Sequence, residues 1–155
     1  MLEILKIRKA EERDVESIRL VLERYALERL LLPRSSKNIL ENISSFLIAD
    51  IKGTFAGCVA IRDFNSGLYE IRSLAVPPEF TGHGIGLKLV RSTVELLEKK
   101  GKCRIFALTL RPKLFLKLGF KLVSKDLFPE KIWSDCAVCP KKEHCDEDAV
   151  LMEVN

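Results

Sequence analysis

The fold of this 155-residue chain is decided by the stretch 73–86, which reads SLAVPPEFTGHGIG. Its apolar start is typical of the end of a strand, and Pro77 and Pro78 end that strand because proline donates no hydrogen bond to a sheet. Three glycines at alternate positions follow: Gly82, Gly84 and Gly86. They lead into an amphipathic helix predicted over 84–100, whose start offers unpaired N–H groups to an anion. The pattern predicts either a phosphate-binding loop or a tight structural turn.

The hydrophobic pattern on both sides of this stretch alternates between strand-like and helix-like segments. The predicted strands are 2–7, 46–51, 55–61, 68–76, 105–110, 120–123 and 149–154. The other predicted helices start near Asp14, near Ser35 and at Pro112. Turn signals at Lys52-Gly53 and Asn65-Ser66-Gly67 lie between the three central strands, so we expect those strands to pair antiparallel. The order describes an α/β chain with a mixed sheet flanked by helices.

Composition and charge exclude several classes of protein. Hydrophobic residues make up 47% of the chain and charged residues 31%, as in ordinary globular domains. The formal net charge of +4 is spread along the chain, whereas strong nucleic-acid binders concentrate their basic residues. No uncharged run reaches the roughly 18 residues of a membrane helix, and the first residues lack the apolar run of a signal peptide. We therefore expect one cytoplasmic domain over 1–155 that binds neither nucleic acid nor membrane.

The glycine loop and its neighbours resemble the GNAT superfamily of acetyl-CoA-dependent N-acetyltransferases. The loop is similar to that family's Arg/Gln-x-x-Gly-x-Gly/Ala motif, although Thr81 stands where the family usually has a cationic or amide side chain. Two further similar segments are 74–77 and 115–120. The resemblance implies the acyl-CoA N-acyltransferase fold, with a mostly antiparallel central sheet, and acetyl-CoA as the co-substrate.

The same resemblance implies which residues hold acetyl-CoA. Main-chain groups of Leu74, Ala75 and Val76 are expected to pair with the pantetheine arm, and Phe115 is expected to contact the cofactor. The pyrophosphate is expected at the backbone N–H groups of the loop, which come from Thr81, Gly82, His83, Gly84, Ile85 and Gly86. An exposed histidine without a ligand is the alternative for the side chain at position 83.

Acetyl transfer to an amine requires loss of a proton, stabilisation of an oxyanion and departure of a thiolate. Glu70 is the candidate general base, since several family members place a glutamate at this point of the strand; the alternative is a strand-edge glutamate in solvent. The N–H of Leu74 is the implied oxyanion donor. The family's tyrosine acid is replaced here by Phe115. A thiol with a pKa of about 8.5 leaves readily as thiolate, and the role of acid stays unassigned.

Four segments resemble the acetyltransferase domain of N-acetylglutamate synthases, and they are 31–35, 70–76, 106–110 and 136–147. This resemblance implies L-glutamate as the acceptor and a place in arginine biosynthesis. A dicarboxylic amino acid needs cationic partners, and the guanidinium fork matches a carboxylate. The candidate partners are Arg34, Arg72, Arg111 and Lys131; with 26 basic residues, the alternative is that they merely lie near the pocket. A regular strand puts Arg72 on the face of Glu70, and a bulge between them would reverse this.

Five cysteines complete the set of reactive side chains. Cys58 and Cys103 lie in apolar strand-like runs and are expected to be small buried residues. Cys136, Cys139 and Cys145 have part of the spacing of a zinc site, but no second Cys-x-x-Cys pair exists. Structural zinc, a disulfide and reduced thiols therefore stay open, and zinc is not favoured.

Three rivals to a glutamate acetyltransferase follow from these observations. One is a GNAT enzyme for another small amine or a protein N-terminus. The second is a non-catalytic acyl-CoA-binding sensor, and the third is a zinc-dependent interaction module. The oligomeric state, including a homodimer, stays open.

Overall fold

The computed structural model describes residues 4–28, 34–124 and 148–155. Its strands are β1 (Leu5–Lys9), β2 (Phe46–Ile51), β3 (Thr54–Asp63), β4 (Leu68–Ala75), β5 (Cys103–Thr109), β6 (Lys121–Val123) and β7 (Asp148–Val154). Its helices are α1 (Val15–Leu27), α2 (Ser36–Glu41), α3 (Ile85–Glu98) and α4 (Pro112–Leu116). Short 3₁₀ turns cover 12–14, 43–45 and 78–80.

The described strands form one mixed sheet with the order β1-β2-β3-β4-β5-β7-β6. Neighbouring strands pair antiparallel, except that β4 and β5 run parallel. Helix α3 connects these two strands, as expected for a parallel crossover. The predicted α/β fold with a mostly antiparallel sheet is therefore confirmed.

Helices cover both faces of the sheet. Leu89 and Leu97 of α3 pack with Ile71 and other apolar residues on one face, and Ile18 of α1 packs with Ile39 of α2 on the other. Each helix presents its apolar stripe inward, as its periodicity predicts. None of the helices in the described ranges has the length and apolar character needed to cross a membrane.

The predicted turns and buried cysteines are confirmed. Lys52 and Gly53 have φ values of 49° and 86°, the left-handed pair of a two-residue hairpin turn. The next hairpin closes where the Phe64 amide donates to the Leu68 carbonyl at 3.0 Å. Cys58 and Cys103 are buried, and burial raises the pKa of the Cys58 thiol to about 12.

The predicted bounds of the first strand are wrong. The alternation favours 2–7, whereas β1 spans Leu5–Lys9 and Ile4 lies outside it, 44% exposed. The ladder with β2 determines these bounds, because it pairs Leu5 with Ile51 and continues to Lys9 opposite Leu47. Residues 1–3 lie outside the described part of the chain.

An ionic cluster joins β1 to the start of α1 and to β2. Arg8 donates two hydrogen bonds to the Asp14 carboxylate, at 2.7 and 2.8 Å, and one to Asp50 at 2.9 Å. The Glu11 amide also donates to Asp14, and the Gly53 amide to Asp50. Burial acts to raise the pKa of Asp14, but the hydrogen bonds from Arg8 and the Glu11 amide hold it below its ordinary value. Arg8 lowers the pKa of Asp50 too.

We expect Arg8→Ala to lower the free energy of unfolding by about 3 kcal/mol at pH 7, because two nearly buried carboxylates lose their counter-charge. Since both folded pKa values are lowered, the carboxylates stabilise the fold above a pH of about 4 and lose this effect as pH falls through the folded pKa values. The difference between wild type and variant should therefore shrink toward pH 3. Urea unfolding measured at several pH values checks this.

Arg13→Ala is the matched control, since Arg13 pairs with Glu11 at the exposed surface beside this cluster. Arg13→Ala should lower the free energy of unfolding by no more than about 0.5 kcal/mol at any pH. Equal effects of the two variants at pH 7 would contradict the stabilising role given to the cluster.

Candidate active site

A fork between two strands lies at the centre of the sheet. β4 and β5 pair in parallel at Leu68–Arg104, Tyr69–Ile105 and Glu70–Phe106, and their pairing stops there. β4 nevertheless continues to Ala75 and β5 to Thr109. The backbone of β4 beyond Glu70 therefore has no partner in β5, and its polar groups on that edge require another one.

A bulge lies in the part of β4 that has no partner in β5. The ladder with β3 is regular up to Ala60 opposite Arg72, and then Cys58 lies opposite Ala75. Two steps along β3 thus match three along β4, so β4 carries one extra residue at 73–74. Ser73 has a left-handed φ of 54°, as a bulge allows. A bulge redirects backbone groups out of the ladder, which is what the predicted role of the Leu74 N–H needs.

The glycine loop leads from this strand to the start of α3. Gly82 and Gly84 have φ values of 83° and 77°, and Gly84 is the N-cap of the helix. A Cβ at Gly82 would meet nothing within 4 Å, so its backbone conformation rather than crowding favours glycine. The first turn of α3 contains no acidic residue. Exposed backbone at a helix start without a nearby carboxylate fits a phosphate group.

Thr81 is the position at which the loop departs from the motif described above, and its side chain has a local role. Its hydroxyl donates to the Pro78 carbonyl at 2.9 Å, so the side chain closes the preceding 3₁₀ turn. His83 is exposed at the tip of the loop, and its phosphate contact stays a prediction.

Glu70 is buried at the fork, with 2% of its surface exposed, so the alternative of a solvated strand-edge glutamate is wrong. Its Oε1 lies 3.7 Å from Nη1 of Arg72. The two side chains share a face because the bulge begins after Arg72 and leaves the strand between them regular. The Glu70 carboxylate thus lies where the parallel pairing of β4 and β5 ends, and a carboxylate at such an opening can serve as a proton acceptor.

Arg34 reaches the bulge from the segment before α2. Its Nη1 donates to the Ser73 hydroxyl at 3.3 Å, and its Nε donates to Asn38 at 2.7 Å. The guanidinium also lies over the Phe46 ring, 5.0 Å from the centroid. The predicted acceptor-binding residues are thus both brought to β4, where Arg72 lies beside Glu70 and Arg34 contacts Ser73 at the bulge.

The remaining predicted residues belong to α4 and its N-cap or lie outside the described ranges. Arg111 is the N-cap of α4, and its amide donates to the Thr109 hydroxyl at 2.9 Å. The Phe115 ring is 3% exposed and packs edge-to-face on Phe120, so its predicted cofactor contact stays a prediction. Four predicted site residues lie in the range 125–147, which the structure does not describe: Lys131, Cys136, Cys139 and Cys145. Within the described ranges, no three His, Cys, Asp or Glu residues are grouped as metal ligands.

Tyr25 is a residue of this site that the sequence analysis missed. It belongs to the apolar stripe of α1, but its hydroxyl donates to the Val76 carbonyl just beyond the bulge. Burial raises the pKa of Tyr25, although the charge of Arg111 acts in the opposite direction. The available signal was chemical, because a tyrosine in a buried stripe needs a partner for its hydroxyl.

Comparisons with known proteins agree with this geometry. The model of the acetyltransferase (GNAT) family matches residues 4–120. An uncharacterized N-acetyltransferase of Chlorobaculum tepidum is 43% identical over 145 residues, which cover 94% of each chain. An amino-acid acetyltransferase of Mycobacterium tuberculosis is 33% identical over 117 residues, which cover 74% of this chain and 67% of that protein.

A solved structure of N-acetylglutamate synthase from Neisseria gonorrhoeae, complexed with coenzyme A and N-acetyl-glutamate, superposes with a TM-score of 0.85. The sequences are 26% identical, and the match covers 97% of this chain but 35% of that one. This chain thus spans about a third of the synthase. Since the family match includes the fork, the bulge and the glycine loop, the chain belongs to the GNAT family of acetyltransferases, as its motifs predicted.

Proposed function

We propose that the protein transfers the acetyl group of acetyl-CoA to the α-amino group of L-glutamate. The observation that carries this proposal is the set of side chains along β4. Buried Glu70 lies 3.7 Å from Arg72, and Arg34 donates a hydrogen bond to the Ser73 hydroxyl. One guanidinium beside the proton acceptor and a second one at the bulge match an amine that carries two carboxylates. The relatives named as amino-acid acetyltransferases support the same acceptor class.

The backbone between the bulge and α3 fits acetyl-CoA. Leu74 and Val76 belong to the stretch of β4 and its extension that has no partner in β5, and the loop 82–86 exposes backbone at a helix start. We assign the first segment to the pantetheine arm and the second to the pyrophosphate. Acetyl-CoA supplies an activated acetyl group with a good leaving group.

Glu70 and Leu74 carry the chemistry in this proposal. Glu70 accepts the proton that the ammonium group of the acceptor must lose, directly or through water, and the free amine can then attack the thioester carbonyl carbon. The Leu74 N–H donates a hydrogen bond to the carbonyl oxygen as negative charge develops there. As the new C–N bond forms, the C–S bond breaks and the thiolate departs, while the second proton of the amine leaves the new amide nitrogen for solvent.

The acceptor is held by cations on both sides of the bulge. We assign Arg34 and Arg72 to the two carboxylates of glutamate, because a planar guanidinium binds a carboxylate through two parallel hydrogen bonds. Arg111 and Lys131 stay as further predicted partners. The neutral analogue L-glutamine lacks the second carboxylate and should bind more weakly.

Thiol release from acetyl-CoA, measured across L-glutamate, L-glutamine, L-aspartate, L-methionine and a short peptide, tests the proposal. We expect kcat/KM for L-glutamate to exceed that for L-glutamine by about tenfold or more, the effect of one charge-assisted hydrogen-bonded pair. A higher value for a neutral amino acid or for the peptide would assign another acceptor. Calorimetric binding of CoA without turnover of any amine would instead identify an acyl-CoA sensor.

A further inference from the structure

Gly57 of β3 packs directly against the end of β4. Its φ is 154°, a conformation that side-chain-bearing residues rarely adopt. A Cβ built at this position would lie 3.1 Å from the Ala75 carbonyl oxygen, 3.2 Å from Cδ1 of Leu89 and 3.3 Å from Cγ2 of Val76. These distances are shorter than ordinary van der Waals contact, so the absence of a side chain lets the backbones of the two strands approach closely.

β3 is itself irregular at this glycine. Ala49 of β2 lies opposite Gly57, and the next residue, Asp50, lies opposite Phe55. One step along β2 thus matches two along β3, so β3 carries an extra residue beside Gly57. The bulge of β3 and the bulge of β4 at 73–74 therefore lie on neighbouring strands, where each increases local bend and twist.

The atoms that lie close to Gly57 belong to the segment to which the proposed function assigns acetyl-CoA, or to the helix packed against it. Ala75 and Val76 follow the bulge, and Leu89 lies on α3, the helix that begins at the glycine loop. Glu70 lies opposite Arg62, five residues farther along β3, outside these contacts. A side chain at position 57 would thus displace the cofactor segment at Ala75 and Val76, whereas Glu70 lies outside its contacts.

We infer that Gly57 is a positioning residue for acetyl-CoA, acting through the Ala75 carbonyl and the adjoining backbone of Val76. Its missing Cβ allows β4 to settle against β3 after the bulge, and this fixes the direction of the main-chain groups offered to the pantetheine arm. The inference rests on the proposed function, which assigns the cofactor to this segment.

Titration calorimetry with acetyl-CoA tests the inference on Gly57→Ala. The carbonyl must move by a few tenths of an ångström, and we expect the Kd of acetyl-CoA to rise about tenfold. The KM of L-glutamate at saturating acetyl-CoA should stay within about twofold, because Glu70 and Arg72 lie outside the contacts of position 57. A merely structural role would lower the melting temperature without this separation of the two substrates.

Gly53→Ala is the matched control, because Gly53 also has a positive φ of 86° but nothing lies within 4 Å of its built Cβ. Gly53→Ala introduces a side chain at a positive φ but brings its Cβ against no other atom. Its Kd for acetyl-CoA should equal that of the wild type within about twofold. Equal Kd values for wild type and Gly57→Ala would overturn the inference. A wild-type protein that binds no acetyl-CoA would overturn the proposed function instead.

A second pair of variants keeps the test decisive if Gly57→Ala alone does not fold. Leu89→Ala removes one of the two side chains that a Cβ at position 57 would contact, so Gly57→Ala/Leu89→Ala has room on the side of α3. The contact with the Ala75 carbonyl at 3.1 Å remains. We expect the double variant to bind acetyl-CoA several-fold more weakly than Leu89→Ala, and equal affinities would contradict the positioning role.

Discussion

Glu70→Gln is expected to lower kcat for acetyl transfer by about 100-fold or more, the usual contribution of a positioned general base. The amide has the shape of the carboxylate but cannot accept the proton of the ammonium group. Glu70 is 2% exposed and lies at the fork, so bulk water replaces it poorly as a base. Steady-state kinetics with saturating acetyl-CoA and L-glutamate measure the effect.

The affinity for acetyl-CoA separates this role from a general loss of structure. The glycine loop and the bulge lie C-terminal to Glu70, so the calorimetric Kd of Glu70→Gln should change by no more than about twofold. Glu79→Gln is the matched control, since Glu79 is exposed in the turn before the loop, and its kcat should be close to that of the wild type. An unaltered kcat of Glu70→Gln would remove this residue from the mechanism.

Much of this fold was predictable because its signals are local. The turn at Lys52-Gly53 needs two left-handed residues in succession, and the structure has them there. The Ser35 cap is equally local, since its hydroxyl accepts from the Asn38 amide one turn later at 3.1 Å. The glycine loop and the helix after it follow from the same kind of short-range pattern. Elements that satisfy their own hydrogen bonds can be predicted without knowing their neighbours.

The arrangement of the site depends on contacts that no local pattern contains. The Tyr25 hydroxyl reaches the Val76 carbonyl across 51 positions, and Arg34 reaches Ser73 across 39. Nothing in the periodicity of α1 distinguishes a tyrosine that only packs from one that also bonds to a strand edge. The sequence therefore indicated which residue types belong to the site, and the sheet determined which of them meet.

The position of one bulge shows how closely such predictions depend on register. Alternation put Arg72 on the face of Glu70 only if the strand between them was regular. The extra residue of β4 lies at 73–74, immediately after Arg72, and one residue earlier would have turned this guanidinium to the other face. The bounds of β1 depend on a partner strand in the same way, because its pairing with β2 extends over Leu5–Lys9 rather than over the predicted 2–7.

Arg34→Ala is expected to raise the KM of L-glutamate about 30-fold, the loss that follows when a carboxylate is left without its charged partner. The change in kcat should stay within about threefold, because Arg34 binds the acceptor and takes no part in proton transfer. Arg34→Lys keeps the charge but loses the planar fork, and we expect it to recover only part of the affinity. Arg91→Ala, at an exposed position of α3, is the matched control and should leave KM unaltered.

Arg34 also packs over Phe46 and donates to Asn38, so its removal affects structure as well as binding. Comparing L-glutamate with L-glutamine separates these effects, because the two acceptors differ only at the side-chain carboxylate. A loss of kcat/KM confined to L-glutamate assigns Arg34 to that carboxylate. An equal loss for both acceptors assigns it to the α-carboxylate when the Kd of acetyl-CoA is unaltered, and to the structure of the site when that Kd rises as well. An unaltered KM for L-glutamate in a folded variant that still binds acetyl-CoA would exclude Arg34 from acceptor binding, and Arg72 would then be the remaining guanidinium beside Glu70.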